Sequence, residues 1–566
     1  MPSIYGTMNT AKMALITHQL SLEVTGQNIS NVNNPNFTRQ EVQLEAAFPI
    51  KPGGSPGLIG TGVRATAIVR RYDQFLEGQR VLNQANTGYW ESRDDFMARL
   101  ETVFNESSES GLNGLFNEFF LAFQDLAFNP RGLTERTNVT AQGRSMSTMF
   151  QKLAGDVTNM RVDLDTKITS SITEINRITG EIVDLNIAIH EAETHGVHAN
   201  DFRDKREKLI RELGNYAEVH VVEDSNNQVT LSLKNGRTLA IGQTAFELST
   251  RVRSDDPMVS DIYWKDTDGN YFNATSDFVN GKMGAWLELR DTDFVNYLDR
   301  LDQLAGTMIR DINSLHSSGY GLDGSTGVNF FGPLSVGTTV GRNNTSPTAF
   351  TGATAIVDPE KVSLNKYQIT ITGAGTFSVT DLTTGASSGA ATYAAGTDIP
   401  FFLDKGIRIQ LDSLANVGDT FTIHAGDNAA LNMAVNSTVV SDLNKIAAGL
   451  STLQGDGDNA LRIAQLQNRM TMGKSDPMAA SGTATFAQHY NAIVGDVGVS
   501  GKTAKSMNAQ QEVVNFELEN RHEQIAGVSL DEEMVNLIKF QHAYQASARL
   551  ISVVDEMLQT LLGLGK

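Results

Sequence analysis

The chain of 566 residues contains no cysteine. Disulfide bonds, thiolate metal sites and cysteine nucleophiles are therefore excluded. Two explanations of this absence stay open from composition alone. One is chance, or residence in a reducing compartment where disulfides do not persist. The other is passage of the unfolded chain through a narrow channel, which a cross-link would block.

Long apolar runs are also missing. No stretch of about 18 apolar residues exists that could span a bilayer. The first twenty residues, MPSIYGTMNTAKMALITHQL, lack the basic start, unbroken apolar centre and small-residue cleavage site of a signal peptide. We therefore expect a protein that is cytoplasmic, or one exported by a route that needs no cleavable signal.

Basic residues are in the minority. The chain has 45 Lys and Arg against 65 Asp and Glu, a net charge of -20. Such a surface repels phosphate backbones and anionic lipid, so we expect neither nucleic acid nor membrane among the partners. Hydrophobic residues make up 40% and charged residues 19%, which is typical of globular proteins. The length predicts several domains.

Both ends of the chain carry side chains at seven-residue spacing. Near the N-terminus one line is Met8, Leu15, Leu22 and Ile29, and a more polar line is Ile4, Ala11, His18, Thr25 and Val32. Near the C-terminus the lines are Leu537, Tyr544, Ile551 and Leu558, and Met534, Gln541, Ala548, Asp555 and Leu562. This spacing is typical of a coiled-coil seam. An amphipathic core helix would explain one such end, whereas two patterned ends favour helices that pair.

Between the ends, helical periodicity gives way to strands and then returns. The predicted class is multidomain α+β, with paired terminal coiled-coil helices, an elongated helical stem and inserted β-rich outer modules. Period-2 alternation surrounds Asn235-Gly236, a hairpin signal. Phe116, Phe119, Phe120 and Phe123 share one helix face, which predicts core packing.

The predicted domains follow this order of elements. They are a terminal domain (1–45 with 522–566), a stem (46–215 with 440–521), a β-rich insertion (216–340, with a helix at 291–317) and a second β-rich insertion (341–439).

The segment GVSGKTAKS ends like a phosphate-binding loop. The motif needs a glycine five positions before Gly501, but Asp496 stands there. Helical spacing also continues through the segment. We expect an uninterrupted helix and no nucleotide.

The segment IHEAETHGVH contains His190, Glu191, His195 and His198. A zinc-protease helix needs histidines four residues apart, and here they are five apart, about 140° around a helix. We expect solvated side chains at a turn and no metal site.

No carboxylate pair is singled out for acid–base catalysis. In SLDEE, Ser529 and Glu532 have the spacing of a capping box, which predicts the start of the last helix.

The segment VTGQNISNVNNPNFTRQ, residues 24–40, is rich in asparagine. Pro35 ends the N-terminal helix, and Asn33, Asn34 and Asn36 suit a turn because short amides tolerate left-handed φ and bond to their own backbone. Asn28 and Asn31 lie on the last helical turns. An amide there supplies donors and acceptors without charge, which suits a helix end packed among protein surfaces.

The segment LEVTGQNISNVNNPNFTRQ resembles the N-terminal signature of the flagellar axial proteins, the family of rod, hook and hook-associated proteins. The usual form is Thr-Gly-x-Asn-Ile-Ala-Asn-x-Asn-Thr-Pro-Gly-Tyr/Phe, and Ser30, Asn34 and Asn36 are the departures here. Residues 526–564, AGVSLDEEMVNLIKFQHAYQASARLISVVDEMLQTLLGL, resemble the C-terminus of the hook-associated branch, with Ser529 for Asn and Phe540 for Tyr. The internal segments NEFFLAFQDLAFNP, DFRDKREKLIRELG and DINSLHSSGYGLDGSTGVNFF also resemble that branch.

The resemblance implies an exported axial protein of the bacterial flagellum that connects hook to filament, located outside the cell, without catalysis or cofactor. Its terminal helices would line the tube, and the missing signal peptide and cysteines would share one explanation. The implied partners are the hook protein, the second hook–filament junction protein, copies of the same chain, and an export chaperone at the C-terminus. Two alternatives remain: another hook or filament type of axial protein, and an extracellular hydrolase on a helical stalk.

The predicted interfaces lie on the two patterned ends. The N-terminal assembly interface comprises Met8, Leu15, Leu22, Asn28, Ile29, Asn31 and Pro35. The C-terminal assembly or chaperone interface comprises Met534, Leu537, Tyr544, Ile551 and Leu558.

Overall fold

The computed structural model describes residues 4–51, 57–105, 111–194, 196, 198–346, 354–411, 415–474, 479 and 481–564. Helices lie at both ends of the chain and strands lie between them. The predicted multidomain α+β class is therefore confirmed.

The N-terminal part consists of helices and one hairpin. Its elements are α1 (Ile4–Ser30), β1 (Gln40–Ala46), β2 (Val63–Arg70), α2 (Gln74–Phe104), α3 (Leu112–Phe128), α4 (Leu133–Thr194) and α5 (Asn200–Tyr216). Antiparallel pairing joins β1 to β2. Asp73 starts α2, since its carboxylate accepts the N–H groups of Phe75 and Leu76 at 2.9 and 3.1 Å. With 62 residues, α4 is about 93 Å long at about 1.5 Å per residue.

The middle of the chain is β-rich and closes with helices. Its elements are β3 (Val219–Glu223), β4 (Val229–Leu233), β5 (Thr238–Ile241), β6 (Thr244–Ala245), β7 (Leu248–Val252), β8 (Ser260–Lys265), β9 (Tyr271–Asn273), α6 (Gly281–Glu288) and α7 (Phe294–Ser318). The sheet orders are β3-β4-β5-β6 and β7-β8-β9. The predicted hairpin is confirmed, because Asn235 and Gly236, with φ +91° at the glycine, lie between β4 and β5.

The helix predicted at 291–317 begins earlier than expected. A π-helical stretch, Leu289–Asp293, joins α6 to α7, so helical structure runs from Gly281 onward. This earlier start was not predicted because two glycines, which disfavour helix, lie in the segment. A Cβ on Gly281 would lie 2.5 Å from the Tyr216 backbone, and one on Gly284 would lie 2.6 Å from the Val279 backbone. Close packing therefore requires glycine inside this helix, against its low helix propensity.

The outer β module has its own hydrophobic core. Its elements are β10 (Val336–Val340), β11 (Ala355–Ile356), β12 (Lys366–Gly373), β13 (Thr376–Asp381), β14 (Ala391–Thr392), α8 (Pro400–Leu403), β15 (Ile407–Arg408) and β16 (Thr420–Ala425). One sheet has the order β10-β16-β12-β13-β14, and β11 pairs with β15. Ile369, Val379 and Phe421 lie in this core, separate from the larger core that joins the helices to β3–β8. The proposed domain boundaries remain predictions.

The C-terminal part returns to helices. Its elements are α9 (Ala429–Asn432), α10 (Ser437–Ser441), α11 (Asp458–Gln465), α12 (Phe486–Ala526) and α13 (Leu530–Leu564). α12 runs antiparallel to α2, with Arg80 2.8 Å from Glu519 and Asn508 3.2 Å from Asp94. We call α2, α3, α4 and α12 the stem. The segment that resembles a phosphate-binding loop lies inside α12, so the predicted uninterrupted helix is confirmed.

The predicted phenylalanine stripe on α3 lies in the larger core. Phe116, Phe119, Phe120 and Phe123 are all buried, and Phe119 and Phe123 contact Phe330 from the loop after α7. The stripe therefore packs the stem, as its helical spacing predicts.

His316 on α7 is a buried histidine that joins two loops. Its Nδ1 lies 2.6 Å from the Val328 carbonyl, and its Nε2 accepts the Ala447 N–H at 3.0 Å. These partners require a neutral ring with the proton on Nδ1. Burial, more than the nearby Arg136 charge, lowers the pKa of His316 from 6.5 to about 4.

We expect His316 to stay neutral when the pH falls to about 5. Because the unfolded chain takes up this proton near pH 6.5 and the folded chain does not, the His316 contribution to stability falls with decreasing pH. The loss is about 1.4 kcal/mol per pH unit until the folded pKa is reached.

Imidazole NMR of histidine-labelled protein measures this directly. The resonance of His316 is preferable to whole-protein stability, because burial raises the pKa of Asp302 to about 7, and that carboxyl opposes the trend. A His316 ring that is charged at pH 6 would contradict the expectation.

Candidate functional site at the paired termini

The first and last helices pack against each other as an antiparallel pair. Near the end of α1, Asn28 contacts Glu533 at the start of α13, with 3.2 Å between Nδ2 and Oε2. Earlier on α1 and later on α13, the rings of His18 and Phe540 stack with centroids 6.3 Å apart. The order of these contacts shows that the helices run in opposite directions. The predicted pairing of the termini is confirmed.

The inner face of α13 matches one of the two predicted lines. Leu537, Tyr544, Ile551 and Leu558 are all half-buried. The second line is wrong by one position. The inner face contains Glu533, Phe540, Ser547 and Val554, whereas Met534, Gln541, Asp555 and Leu562 are exposed and Ala548 is half-buried. Offsets of three and four residues from the first line both satisfy heptad spacing, so periodicity alone could not separate them.

α1 has two contact faces, and the sequence pattern identified one of them. From the predicted lines, Ala11 and Thr25 are buried, Leu15, Leu22 and Ile29 are half-buried, and Met8 is exposed. The second face consists of Thr17, Ser21 and Val24, which the heptad lines missed, and of Asn28, which was predicted for its amide; all four are buried. It lies toward the β1–β2 hairpin, where the Thr17 hydroxyl donates to the Val63 carbonyl at 3.4 Å. Small polar residues at spacings of three and four were the available signal.

Asn28 connects the end of α1 to the start of β1 through both the NH2 group and the oxygen of its side-chain amide. Its Nδ2 donates to the Gln40 carbonyl at 2.9 Å, and its Oδ1 accepts the Gln40 N–H at 3.1 Å. The same Nδ2 donates to Glu533. Asn28 is buried, at 2% exposure. A carboxylate could not donate and an ammonium could not accept, so this position requires an amide.

Arg39 completes this cluster. Its guanidinium lies 2.7 Å from the Glu533 carboxylate, and its Nη1 donates to Glu532 at 2.7 Å. Burial lowers the pKa of Arg39 and the two carboxylates raise it, with a net rise. We call Asn28, Arg39, Gln40 and Glu533 the terminal joint. It connects α1, β1 and α13, so one cluster connects both ends of the chain.

The predicted capping box at Ser529 shows one of its two hydrogen bonds, the one that the serine side chain accepts. The Ser529 hydroxyl accepts the Glu532 N–H at 3.5 Å, at the start of α13. The Glu532 carboxylate faces Arg39. This acidic residue therefore contributes to the ion pair as well as to the helix start.

The turn after α1 uses its asparagines as local acceptors and donors. The Asn34 side chain accepts the Asn36 N–H at 3.2 Å, and Asn31 donates to the Gln27 carbonyl at 3.0 Å. The expected left-handed φ is not used at Asn33, Asn34 or Asn36, because the described non-glycine residues with positive φ are Asn227 and Asn428. The chain turns with ordinary backbone angles, and Pro35 lies exposed in the turn.

The roles of the predicted interface residues in assembly remain predictions. Among the residues that the structure describes, the terminal joint brings Asn28 close to the start of α13. It leaves Asn31, Pro35 and Met534 outside the contacts of the joint. The sequence did not identify Arg39, Gln40 or Glu533. Their signal was polarity next to the predicted helix ends, which is common in loops.

The histidine segment shows no metal site in the described part of the chain. His195 lies outside the described residues. Within the ranges given above, no group of three or more His, Asp or Glu side chains is arranged to hold a metal ion. None of the helices described has both the length and the apolar character to cross a membrane.

Removing the Glu533 carboxylate is expected to loosen the terminal joint far more than removing Glu532. The side chain of Glu533 is 2% exposed, and that of Glu532 is 64% exposed. Leaving Arg39 without its buried partner costs about 3–5 kcal/mol, whereas an exposed pair contributes about 0.2–1 kcal/mol. Amide exchange at the Gln40 N–H in Glu533→Ala and Glu532→Ala chains measures the difference. Equal exchange in the two variants would contradict this ranking.

The chain matches two family models. The flagellar hook-associated protein FlgK helical domain matches residues 97–331, and the flagellar basal body rod FlgEFG protein C-terminal model matches residues 522–564. The second match covers all of α13. The first match contains the end of α2, all of α3, α4 and α5, and most of the first β insertion, and the second contains the C-terminal half of the helix pair.

Relatives share the whole length. The flagellar hook-associated protein 1 of Salmonella typhimurium is 27% identical over 569 residues, covering 98% of this chain and 99% of that protein. The protein of the same name from Bacillus subtilis is 24% identical over 600 residues, covering 100% and 99%. The solved structure of the flagellar hook junction protein FlgK from Burkholderia pseudomallei has a TM-score of 0.68 at 18% identity, over 79% of this chain and 100% of that chain. The fold is shared with that structure.

Proposed function

Because the chain belongs to the family of flagellar hook-associated protein 1, we propose that it is a structural component of the bacterial flagellum that connects hook to filament. The observation that carries this proposal is the antiparallel pair of α1 and α13, held at one end by the terminal joint. A helix pair built from the two ends of one chain gives each copy an elongated unit for packing beside other copies. The stem and the β modules then extend from that unit.

The outward face of α13 supports a role in assembly. Apolar side chains outside the two inner lines remain exposed although α13 already packs against α1: Met534, Ile538, Val553 and Met557. An apolar face that remains after folding is typical of a surface that other proteins cover. We propose that copies of the same chain cover it in the assembly. The hook protein and the second hook–filament junction protein are the proposed neighbours along the axis.

Export is the second part of the proposal. We propose that the chain leaves the cell through the flagellar export apparatus, without a cleaved signal, and that a small export chaperone first covers α13. A helix that docks its apolar face in the groove of a partner is a common recognition mode. The absence of cysteine supports this route, because no cross-link can form before the chain is threaded.

Catalysis is not part of the proposed function. The polar groups that the structure gathers at the termini are held in ion pairs and amide hydrogen bonds that connect structural elements. Purified protein tested for ATP hydrolysis and for bound zinc separates this proposal from a hydrolase on a helical stalk. Clear turnover, or one tightly bound zinc ion per chain, would overturn it.

Electron microscopy of a deletion strain tests the junction role. We expect hooks without filaments, with the filament protein lost to the medium, and restoration of filaments by the intact gene. Normal filaments in the deletion strain would refute the junction role. Shortened or absent hooks would indicate a hook-type axial protein instead.

A further inference from the structure

α5 carries a stripe of charged residues on the side that faces the termini. Asp201, Asp204, Glu207 and Arg211 follow one another at spacings of three and four, so they share one face of the helix. Such a stripe in a sequence usually indicates a solvated surface. Here Asp204 is 7% exposed, so the stripe is partly buried.

The stripe binds the base of the β1–β2 hairpin through Arg70. The Nη1 of Arg70 donates to Asp204 at 2.6 Å, and its Nη2 donates to Glu207 at 2.8 Å. One guanidinium therefore bridges two carboxylates that lie one helical turn apart. The Asp204 carboxylate also accepts the Thr38 N–H at 3.0 Å. Burial lowers the pKa of Arg70, but the two carboxylates raise it more; burial raises the pKa of Glu207.

Two further contacts extend this interface along α5. Asn200 donates to the Gln40 side-chain oxygen at 3.2 Å and to the Ile68 carbonyl at 3.0 Å. Gln40 in turn donates to Asp201 at 3.0 Å. Gln40 thus bonds α5 with its side chain and Asn28 with its backbone, which links the stripe to the terminal joint.

The opposite side of α5 is fixed to the stem. Arg206 is buried, and its Nη1 donates to the Asn186 side chain on α4 at 2.9 Å. Its Nη2 donates to Glu223 on β3 at 2.9 Å. α5 is therefore held on one side by the stem and on the other by the hairpin.

The chain itself links these two parts at short segments. We call α1, β1, β2 and α13 the terminal unit. It is joined to the stem at residues 71–73 and at residues 527–529. A backbone hydrogen bond of 2.9 Å from the Arg39 N–H to the Ala526 carbonyl adds a third contact. The side-chain contacts of α5 join the two parts in addition to the linkers and this hydrogen bond, and they hold the hairpin along its base.

We propose that α5 is an orienting element. The acidic residues of its charged stripe set the angle between the terminal unit and the stem by holding Thr38, Gln40 and Arg70. The orienting role itself does not depend on the proposed function. Its consequence for assembly rests on that function: copies can pack side by side if their terminal units leave the stem at one angle. Arg70, Asp204 and Glu207 are positioning residues in this scheme. They act on assembly through the geometry of the hairpin.

Three variants separate this role from a general effect on folding. Asp204→Ala with Glu207→Ala removes both acceptors of Arg70 and should release the terminal unit. Arg70→Lys keeps the charge but cannot bridge two carboxylates with a planar fork, so an intermediate effect is expected. Glu212→Ala is the matched control, since that acid lies on α5 and pairs only with Lys208 at 3.5 Å on the surface among the described ion pairs.

Distances between spin labels report the angle in the purified full-length chain. The absence of native cysteine makes labelling at introduced cysteines specific. Labels at Gln43→Cys and Asp184→Cys, on β1 and α4, report the terminal unit against the stem. Labels at Glu23→Cys and Lys539→Cys, on α1 and α13, report the terminal unit alone. These four positions are exposed in the structure.

We expect one narrow distance for each label pair in the unsubstituted chain and in Glu212→Ala. The Asp204→Ala, Glu207→Ala chain should lose the narrow distance between the hairpin and the stem and keep the narrow distance within the terminal unit. An unchanged hairpin-to-stem distance would overturn the proposal, as would equal broadening of both pairs or a broad hairpin-to-stem distance in the unsubstituted chain. The measurement needs no flagellum, so its failure differs from failure of the filament test.

Discussion

Chains that carry Ile551→Asp together with Leu558→Asp are expected to fail to assemble at the flagellum. Both side chains are half-buried on the inner face of α13, where α1 packs. Each aspartate would place a charged carboxylate in an apolar contact, and burial of an unpaired charge is far costlier than the contact it replaces. We expect no filaments when the variant is the only copy of the chain, as seen by electron microscopy, and no binding to the export chaperone.

The control for this prediction is Asp555→Asn, a change between the same two positions. Asp555 is exposed and accepts a hydrogen bond from Gln559 at 2.9 Å. It should assemble normally. Circular dichroism should show that both variants retain the helical content of the stem. If the double aspartate chain formed filaments and bound chaperone, the inner face of α13 would be needed neither for its pairing with α1 in the assembly nor for the chaperone.

The pairing of the two ends could be predicted because heptad spacing is a local property. Leu537, Tyr544, Ile551 and Leu558 each lie seven residues apart and do form one line of the inner face. The partner line could not be assigned from spacing. Glu533 takes an inner position that an apolar residue would be expected to fill, because Asn28 and Arg39 pair with its carboxylate. That pairing depends on residues about 500 positions away in the chain.

The charged face of α5 illustrates the same limit at the second contact. Its helical periodicity is visible in DFRDKREKLIREL, but its partners are not. Thr38 and Asp204 are 166 residues apart, and Arg70 and Glu207 are 137 apart. Local pattern predicts that such a helix is amphipathic. It does not predict which charges become buried, because burial of a charge depends on a counter-charge brought by the fold.

The asparagine-rich segment was predictable in part. The end of α1 before Pro35 could be predicted, because proline lacks the backbone N–H that would donate the next helical hydrogen bond. The need for an uncharged amide at Asn28 was also a sound expectation, since both its donor and its acceptor are used. The prediction grouped Asn31 with Asn28 because both were placed on the last turns of the helix. In the structure Asn31 bonds within its own helix end, to Gln27.

This difference between the two asparagines gives the last prediction. Asn28→Asp is expected to break the terminal joint, and Asn31→Asp is not. At position 28 an aspartate loses the donor to the Gln40 carbonyl and sets a second carboxylate against Glu533, where Nδ2 now lies 3.2 Å from Oε2. Two like charges at a buried site repel, and a buried carbonyl loses its partner. The cost is about 3–5 kcal/mol at the joint, the range for an uncompensated buried charge.

Amide exchange of the Gln40 N–H in the purified chain measures the opening of the joint, and filament formation in a deletion strain measures its consequence. Asn28→Asp should exchange faster by a factor of roughly 100 or more, since each 1.4 kcal/mol is about tenfold. Asn31→Asp should stay close to the unsubstituted chain in both measurements, because the Asn31 side chain is half-buried and bonds only near the helix end among the described contacts, donating to the Gln27 carbonyl and accepting from Asn34. Lowering the pH should partly rescue Asn28→Asp and leave Asn31→Asp unaffected, since a protonated carboxyl at position 28 regains a donor and loses its charge. Equal exchange in the two variants, or full protection of the Gln40 N–H in Asn28→Asp, would show that the amide of Asn28 does not hold the ends of the chain together.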